Sequence, residues 1–316
     1  MNSSSETVSQ SPPQMTDTIG SPLSYLLVTP AHNEEAFLRG TLESVVGQTH
    51  KPVRYLVVSD GSTDGTDDIV REFASQYDWI ELYRRPERET RDFGGKAHCF
   101  NSGYDRIKDL PHDAVVSLDA DLTFDADYFS FLLGKMAQDA ELGVVGTPFS
   151  EEGITYDYRF TNIEHVSGAC QVFRRECLIQ LGGYEAIKGG GIDWVAVTSA
   201  RMHGWKTRTF TEKVCHHHRA MGSAGSTSSR ALFRLGMQDQ YLGGSMLWQC
   251  VRSIYQASRR PYILGGLLLM TGYVYSGLKK TESRVSPQLK RFHRKEQHKR
   301  IKSKLGALVF RGAKSR

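Results

Sequence analysis

Long uninterrupted apolar runs are missing from this 316-residue sequence. The uncharged stretch Tyr262–Leu278 is 17 residues long and is interrupted by Gly265, Gly266, Gly272 and Gly277. A membrane-crossing helix wants about 20 apolar residues. An interfacial or re-entrant helix is therefore expected there, with a true span as the alternative, and the composition describes a soluble globular rather than a polytopic protein. Paired cysteines are missing too. Cys99, Cys170, Cys177, Cys215 and Cys250 are scattered without a CxxC, which argues against a zinc ribbon or a disulfide framework and for reduced thiols. Residues 1–22, rich in Ser, Thr, Gln and Pro, have no apolar core, so a disordered leader is expected rather than a signal peptide. No GxxxxGK[ST] phosphate loop occurs, and no internal repeat.

Charge is present but uneven. The net charge is +5, yet residues 279–316 hold 14 Lys/Arg against Glu282 and Glu296, a local +12 that leaves −7 for the rest. An acidic body with a basic tail excludes a protein shaped throughout to grip nucleic acid. Nucleic acid is not expected as a partner. A basic tail directly after an apolar segment points instead to an anionic membrane surface, engaged through residues 262–316.

Along the chain, short apolar runs alternate with segments of helical spacing. Strands are predicted over Tyr25–Thr29, Arg54–Val58, Trp79–Tyr83 and Ala114–Leu118, with helices over Ala36–Val46, which Asn33 would cap, and Thr66–Phe73. Strands separated by helices of this length imply an α/β fold with a doubly wound parallel sheet, whose ligands bind at the carboxyl ends of the strands. Beyond residue 150 the pattern loosens. A strand and helix are expected within Gly168–Leu181, flexible loops at the glycines 182–183 and 189–191, and a helix over Asp193–His203. A mobile loop is expected over Ala220–Ser229, followed by an amphipathic helix with Leu247, Trp248, Val251, Ile254 and Tyr255 on one face.

Four constellations fall at or near the strand ends. Asp119-Ala120-Asp121 follows the buried run Val115, Val116, Leu118, and two carboxylates there suit a hard divalent ion such as Mg²⁺ or Mn²⁺. Asp60-Gly61-Ser62 can be an ordinary turn before a helix, or its carboxylate can accept from a base or ribose. Gly94-Gly95-Lys96 permits close backbone approach to a diphosphate beside a point charge. Cys215-His216-His217-His218-Arg219 cannot close a zinc tetrahedron from adjacent residues. It offers either a solvated strand end or, with Arg219, cationic groups for a diphosphate.

The order Thr29-Pro30-Ala31-His32-Asn33-Glu34-Glu35, Ser59-Asp60-Gly61-Ser62, Gly94-Gly95-Lys96 with Asn101, then Asp119-Ala120-Asp121 resembles the family 2 glycosyltransferases, across roughly residues 24–215. The resemblance implies the GT-A fold, a Rossmann-like nucleotide-sugar-binding domain with a mostly parallel sheet flanked by helices. It further implies an inverting, Mg²⁺- or Mn²⁺-assisted transfer from a UDP-, GDP- or dTDP-sugar. Carried over, Pro30, Glu34 and Asp60 would contact the nucleoside, with Ala31 among the donor-binding residues. Lys96, Asp119 and Ala120 would lie near the donor, and Asp119, Asp121 and His218 at the metal. The family's acidic pair ahead of a helix ending in Gly-aromatic is matched by Ile192-Asp193-Trp194 with Gly204-Trp205. Ile192 replaces the first acid, and Asp193 is the candidate general base, although a helix cap is the alternative.

The Q-x-x-R-W helix of processive synthases is lacking, so one or a few additions are expected rather than polymerisation. Residues 291–297 resemble bacterial members that assemble cell-surface polysaccharides, which implies a glycan or lipid-linked acceptor. The expected layout is a leader (1–22), a glycosyltransferase domain (23–220), and a C-terminal helical membrane-associating extension (221–316). The chain would be cytoplasmic, peripheral or monotopic on the inner face of the membrane. A sugar-nucleotide nucleotidyltransferase is a rival reading, but it would carry an early Gly-rich loop with Thr-Arg. A non-catalytic adaptor using the tail would leave the aspartates accidental.

Overall fold

The computed structural model describes residues 22–86, 94–151, 154–155, 162–187, 190–219, 229–279, 281 and 283–314, with the side chains of 154–155 and 304–314 left aside. The expected leader up to residue 21, most of the loop 220–229 and Gly189 fall outside the described residues.

The apolar runs become buried strands. These are β1 (Tyr25–Ala31), β2 (Arg54–Asp60), β3 (Ile80–Arg85) and β4 (Ala114–Leu118), joined by helices α1 (Leu38–Val46), α2 (Thr66–Gln76) and α3 (Gly95–Ile107). After β4 come a short β5 (Leu122–Thr123), α4 (Tyr128–Gln138), β6 (Leu142–Gly146), β7 (Phe149–Glu151) and β8 (Ile154–Thr155). Then follow β9 (Cys170–Arg174), α5 (Arg175–Leu181), α6 (Ile192–Met202), β10 (Lys206–Thr209) and β11 (Cys215–His217).

Seven strands form one sheet in the order β3-β2-β1-β4-β9-β6-β10. Six run parallel, but β9 runs antiparallel to both its neighbours, so the sheet is mostly rather than wholly parallel. Period-2 alternation sends Tyr25 and Leu27 to one face and Leu26 and Val28 to the other. The first face packs on α1, α2 and α4, the second on α3, α5 and α6. Strand order reverses between β1 and β4, and that switch point opens the crevice in which such sheets take ligands.

A second sheet, β5-β11-β7-β8, sits beside it. Its pairing of His216 with Thr123 and His217 with Leu122 returns the chain to the residue after Asp121.

Asn33 does not cap α1. It adopts φ 56° and its Oδ1 accepts from Thr63 N at 2.9 Å, lacing the loop after β1 to the loop after β2. α1 starts later than expected, at Leu38, with Phe37 N and Leu38 N donating to Glu34 O.

The C-terminal third is helical, with α7 (Ser229–Tyr241), α8 (Met246–Ala257), α9 (Leu264–Leu278) and α10 (Pro287–Lys314). The glycines of Tyr262–Leu278 do not break it, since α9 is continuous. A Cβ at Gly272 would collide with the Phe233 carbonyl oxygen and one at Gly236 with that of Leu269, so these glycines are where α7 and α9 pack backbone to backbone. The basic tail is partly engaged in packing. Arg294 Nε donates to Gly243 O at 3.0 Å, Glu296 pairs with Arg201 of α6 at 2.7 Å, and Arg300 pairs with Glu164 at 2.8 Å.

Candidate active site

Pro30 and Ala31 end β1, Asp60 ends β2, and Asp119 follows β4, so the topology brings them to one edge of the sheet at the switch point. The loop after β1 is held by the loop after β2. His32 Nδ1 and Asp60 O are 2.7 Å apart, Asn33 N donates to Ser62 Oγ at 3.2 Å, and Glu34 N donates to Thr66 Oγ1 at 2.8 Å. The Asp60 carboxylate faces Arg85 at the end of β3, 3.4 Å away.

Lys96 lies in the first turn of α3. It pairs with Asp119 Oδ1 and donates to Gly168 O at 2.7 Å. Loss of water around Asp119 raises its pKa, and the Lys96 ammonium opposes that rise. Ala120 is buried and contributes its backbone. Its carbonyl accepts from Thr41 Oγ1 at 2.8 Å, and the same hydroxyl receives Leu122 N at 3.1 Å, so α1 fixes the turn that carries both aspartates.

The imidazole that reaches these aspartates belongs to His217, not His218. One ligand atom each of Asp119, Asp121 and His217 lies within 4.8 Å of the other two. His217 Nε2 stands 3.4 Å from Asp121 Oδ1, and its Nδ1 stands 3.4 Å from Glu151 Oε1. His218 is exposed, its Nε2 bonded to Thr123 Oγ1 at 2.8 Å. Cys215 and His217 are the buried members of β11 and His216 the exposed one, so strand alternation selects which imidazole faces the aspartates.

Arg219 closes the other side. It pairs with Glu34 and its Nε lies 3.6 Å from Asp121 Oδ2, linking the loop after β1 to the aspartates. Burial pushes the Glu34 carboxyl up to about 7, Arg219 opposing and Asp121 adding to the rise.

Asp193 sits in the first turn of α6, but the N-cap is Gly191, and no side chain caps the first amides. Its carboxylate packs on Gly168, where an added Cβ would come within 2.9 Å of Asp193 Cβ. Gly168 O is the acceptor of Lys96, so a single glycine separates Asp193 from the Lys96–Asp119 pair. Ile192 is buried in the core beneath.

Residues 26–177 match the family model described as glycosyl transferase family 2. This stretch is a family 2 glycosyltransferase domain. The chain is 32% identical over 145 residues to YdaM of Bacillus subtilis, named a probable glycosyltransferase, covering 44% of this chain and 33% of that protein. It is 24% identical over 219 residues to the poly-beta-1,6-N-acetyl-D-glucosamine synthase of Staphylococcus epidermidis, covering 63% and 48%. The chain thus spans between a third and a half of these relatives. Among solved structures, the mannosyltransferase of Pyrobaculum calidifontis in complex with GDP-Man and Mn²⁺ superposes with a TM-score of 0.59 at 17% identity, covering 86% of this chain and 92% of that one. That likeness bears on the fold, which is GT-A.

The glycosyltransferase domain presents a donor set suited to a divalent ion, two carboxylates and an imidazole. Asp121 Oδ1 is buried without a hydrogen-bond partner, as an oxygen directed at a cation would be. Glu151 behind the imidazole is placed as carboxylates behind ligating histidines are. Sequence reasoning missed Thr41 and Glu151. A threonine among the buried apolar positions of α1 (Leu38, Leu42, Val45) was the available signal for the first. Glu151 carried none.

Proposed function

We propose that this chain transfers one sugar, with inversion, from a nucleotide-sugar donor to a hydroxyl of a glycan or lipid-linked acceptor. The observation that carries the reading is the cluster of Asp119, Asp121 and His217 at the switch point of a family 2 domain, with Asp193 one glycine away. A divalent ion held by those three groups would neutralise the charge developing on the departing diphosphate. The imidazole favours Mn²⁺ over Mg²⁺. Glu34 and Asp60 face the nucleoside, and Arg219 is within reach of the diphosphate. Asp193 takes the acceptor hydroxyl's proton as that oxygen bonds to the anomeric carbon and the nucleoside diphosphate leaves.

The relative named as a polysaccharide synthase supports a glycan acceptor. The lack of a Q-x-x-R-W helix in the sequence supports one or a few additions rather than polymerisation. We place the enzyme at the inner face of a membrane. The apolar helices and the cations of 279–316 support that location.

Titration with UDP, GDP and dTDP, with and without Mn²⁺, tests the reading. One nucleotide should bind in a Mn²⁺-dependent manner, and mass spectrometry over a panel of nucleotide sugars should find a product carrying one or a few added sugars. Binding of no nucleotide, or release of pyrophosphate, would reject it.

A further inference from the structure

Helices α8 and α9 are packed inside out. α8 buries Gln249 and Ser253. α9 buries Gly265, Gly266, Gly272 and Ser276 together with Leu269 and Tyr273. Most of their large aliphatic side chains face outward. On α8 these are Leu247, Val251 and Ile254, spaced i, i+4, i+7, with Ile254 73% exposed. On α9 they are Leu264, Leu267, Val274 and Leu278, spaced i, i+3, i+10, i+14, with Leu267 57% and Leu278 78% exposed. Each set forms one stripe along its helix.

In water a helix buries such a stripe and exposes its polar residues. The reverse is stable where the surroundings are as apolar as leucine. Helices then associate through small residues, close backbone contact and interhelical hydrogen bonds. All three occur here. Gly266 lies against the Ser253 carbonyl, and Gly272 and Gly236 let α7 and α9 touch. Gln249 Nε2 donates across to Leu269 O at 3.0 Å, and Ser276 Oγ donates to Gln240 Oε1 at 2.9 Å.

Length decides how the pair sits. Twelve and fifteen residues are about 18 and 22 Å long, short of the roughly 30 Å hydrocarbon core. No helix among the described residues is long and apolar enough to cross a membrane. The α8–α9 turn carries exposed Tyr262 and Ile263 beside exposed Arg259 and Arg260, and exposed Lys279 caps the far end of α9. The Arg259 guanidinium lies 4.4 Å from the Tyr255 ring and Lys279 5.8 Å from that of Tyr275. Aromatic rings bordered by cations suit the headgroup boundary of an anionic leaflet.

We propose that the α8–α9 hairpin is a monotopic membrane element. Its outward stripes sink into the acyl region of one anionic leaflet, with Arg259, Arg260 and Lys279 at the headgroups. This deepens the proposed location at the inner face of a membrane and rests on that part of the reading.

Flotation of the full chain with phosphatidylcholine vesicles, with and without phosphatidylglycerol, tests the proposal. The wild type should float, more strongly with phosphatidylglycerol. Ile254→Ser combined with Leu267→Ser should lower partitioning at least about tenfold, given about 0.8 kcal/mol for each buried methylene. Nucleotide binding should stay unchanged, because both positions are exposed. Sedimentation without lipid should give the same monomer for both proteins. Failure of the wild type to float, equal partitioning of the variant, or a lipid-free dimer that the variant dissolves would each overturn the proposal. A wild type that floats but binds no nucleotide would sink the transferase reading and leave this one standing.

Discussion

His217 Nε2 and Asp121 Oδ1 lie 3.4 Å apart although 96 positions separate them in sequence, and the two-residue strand β5 brings them together. The pairing of His217 with Leu122 leaves His218 beyond the end of β11, bonded to Thr123. His217→Gln should therefore weaken Mn²⁺ binding at least about tenfold, the lower range for loss of a metal-site group, whereas His218→Gln should leave it within about twofold. Isothermal titration of Mn²⁺ separates the two. Equal losses would mean that the ion sits elsewhere.

Asp193 meets the Lys96–Asp119 pair only across Gly168. Asp193→Asn should keep Mn²⁺-dependent nucleotide binding and lose transfer by about 10²–10⁴-fold, the usual contribution of a positioned base. Turnover at the wild-type rate would remove Asp193 from its role.

Gly272 touches the backbone of Phe233, while Gly134, within α4, has nothing within 4 Å of where a Cβ would stand. Gly272→Ala should cost about 1–3 kcal/mol through overpacking. Gly134→Ala should stabilise by about 0.5–1 kcal/mol through helix propensity. Denaturant midpoints in detergent-free buffer would show opposite signs.

His293 of α10 stands edge-on to Trp194, with ring centroids 4.5 Å apart, and its Nε2 lies 2.7 Å from Gln297 Nε2. Burial lowers its pKa from 6.5 to about 4; Arg201, Arg300 and Arg294 push the same way and Glu296 opposes. Between those values the unfolded chain binds a proton that the folded chain refuses, so stability rises with pH across the window. It is complete above 6.5 and is lost as pH falls toward 4, by roughly 1–3 kcal/mol. His293→Gln should flatten that dependence, as read by unfolding midpoints on either side of the window.

The nucleotide half of the fold was legible because its signals are local. Buried runs such as Val115–Leu118 end in Asp119 at a sheet edge, and Arg54–Val58 ends before Asp60. The insertion of β9 between β4 and β6 was not legible, since a strand's neighbours depend on tertiary packing rather than on its own residues. The choice of His217 over His218 hangs on a register of two residues in β5. The glycines of α9 read as interruptions because their partners, Phe233 and Ser253, lie in other helices. The apolar face read on α8 was correct in periodicity, but its outward direction was not visible from the sequence.

Thr41 draws a last consequence. The loop bearing Glu34 leads directly into α1, and from α1 the Thr41 hydroxyl grips the Ala120 carbonyl between the two aspartates. One nine-residue helix therefore ties the loop of Glu34 to the turn that carries both aspartates. A substitution that shifts α1 would therefore be felt at the Glu34 loop and at the aspartate turn together.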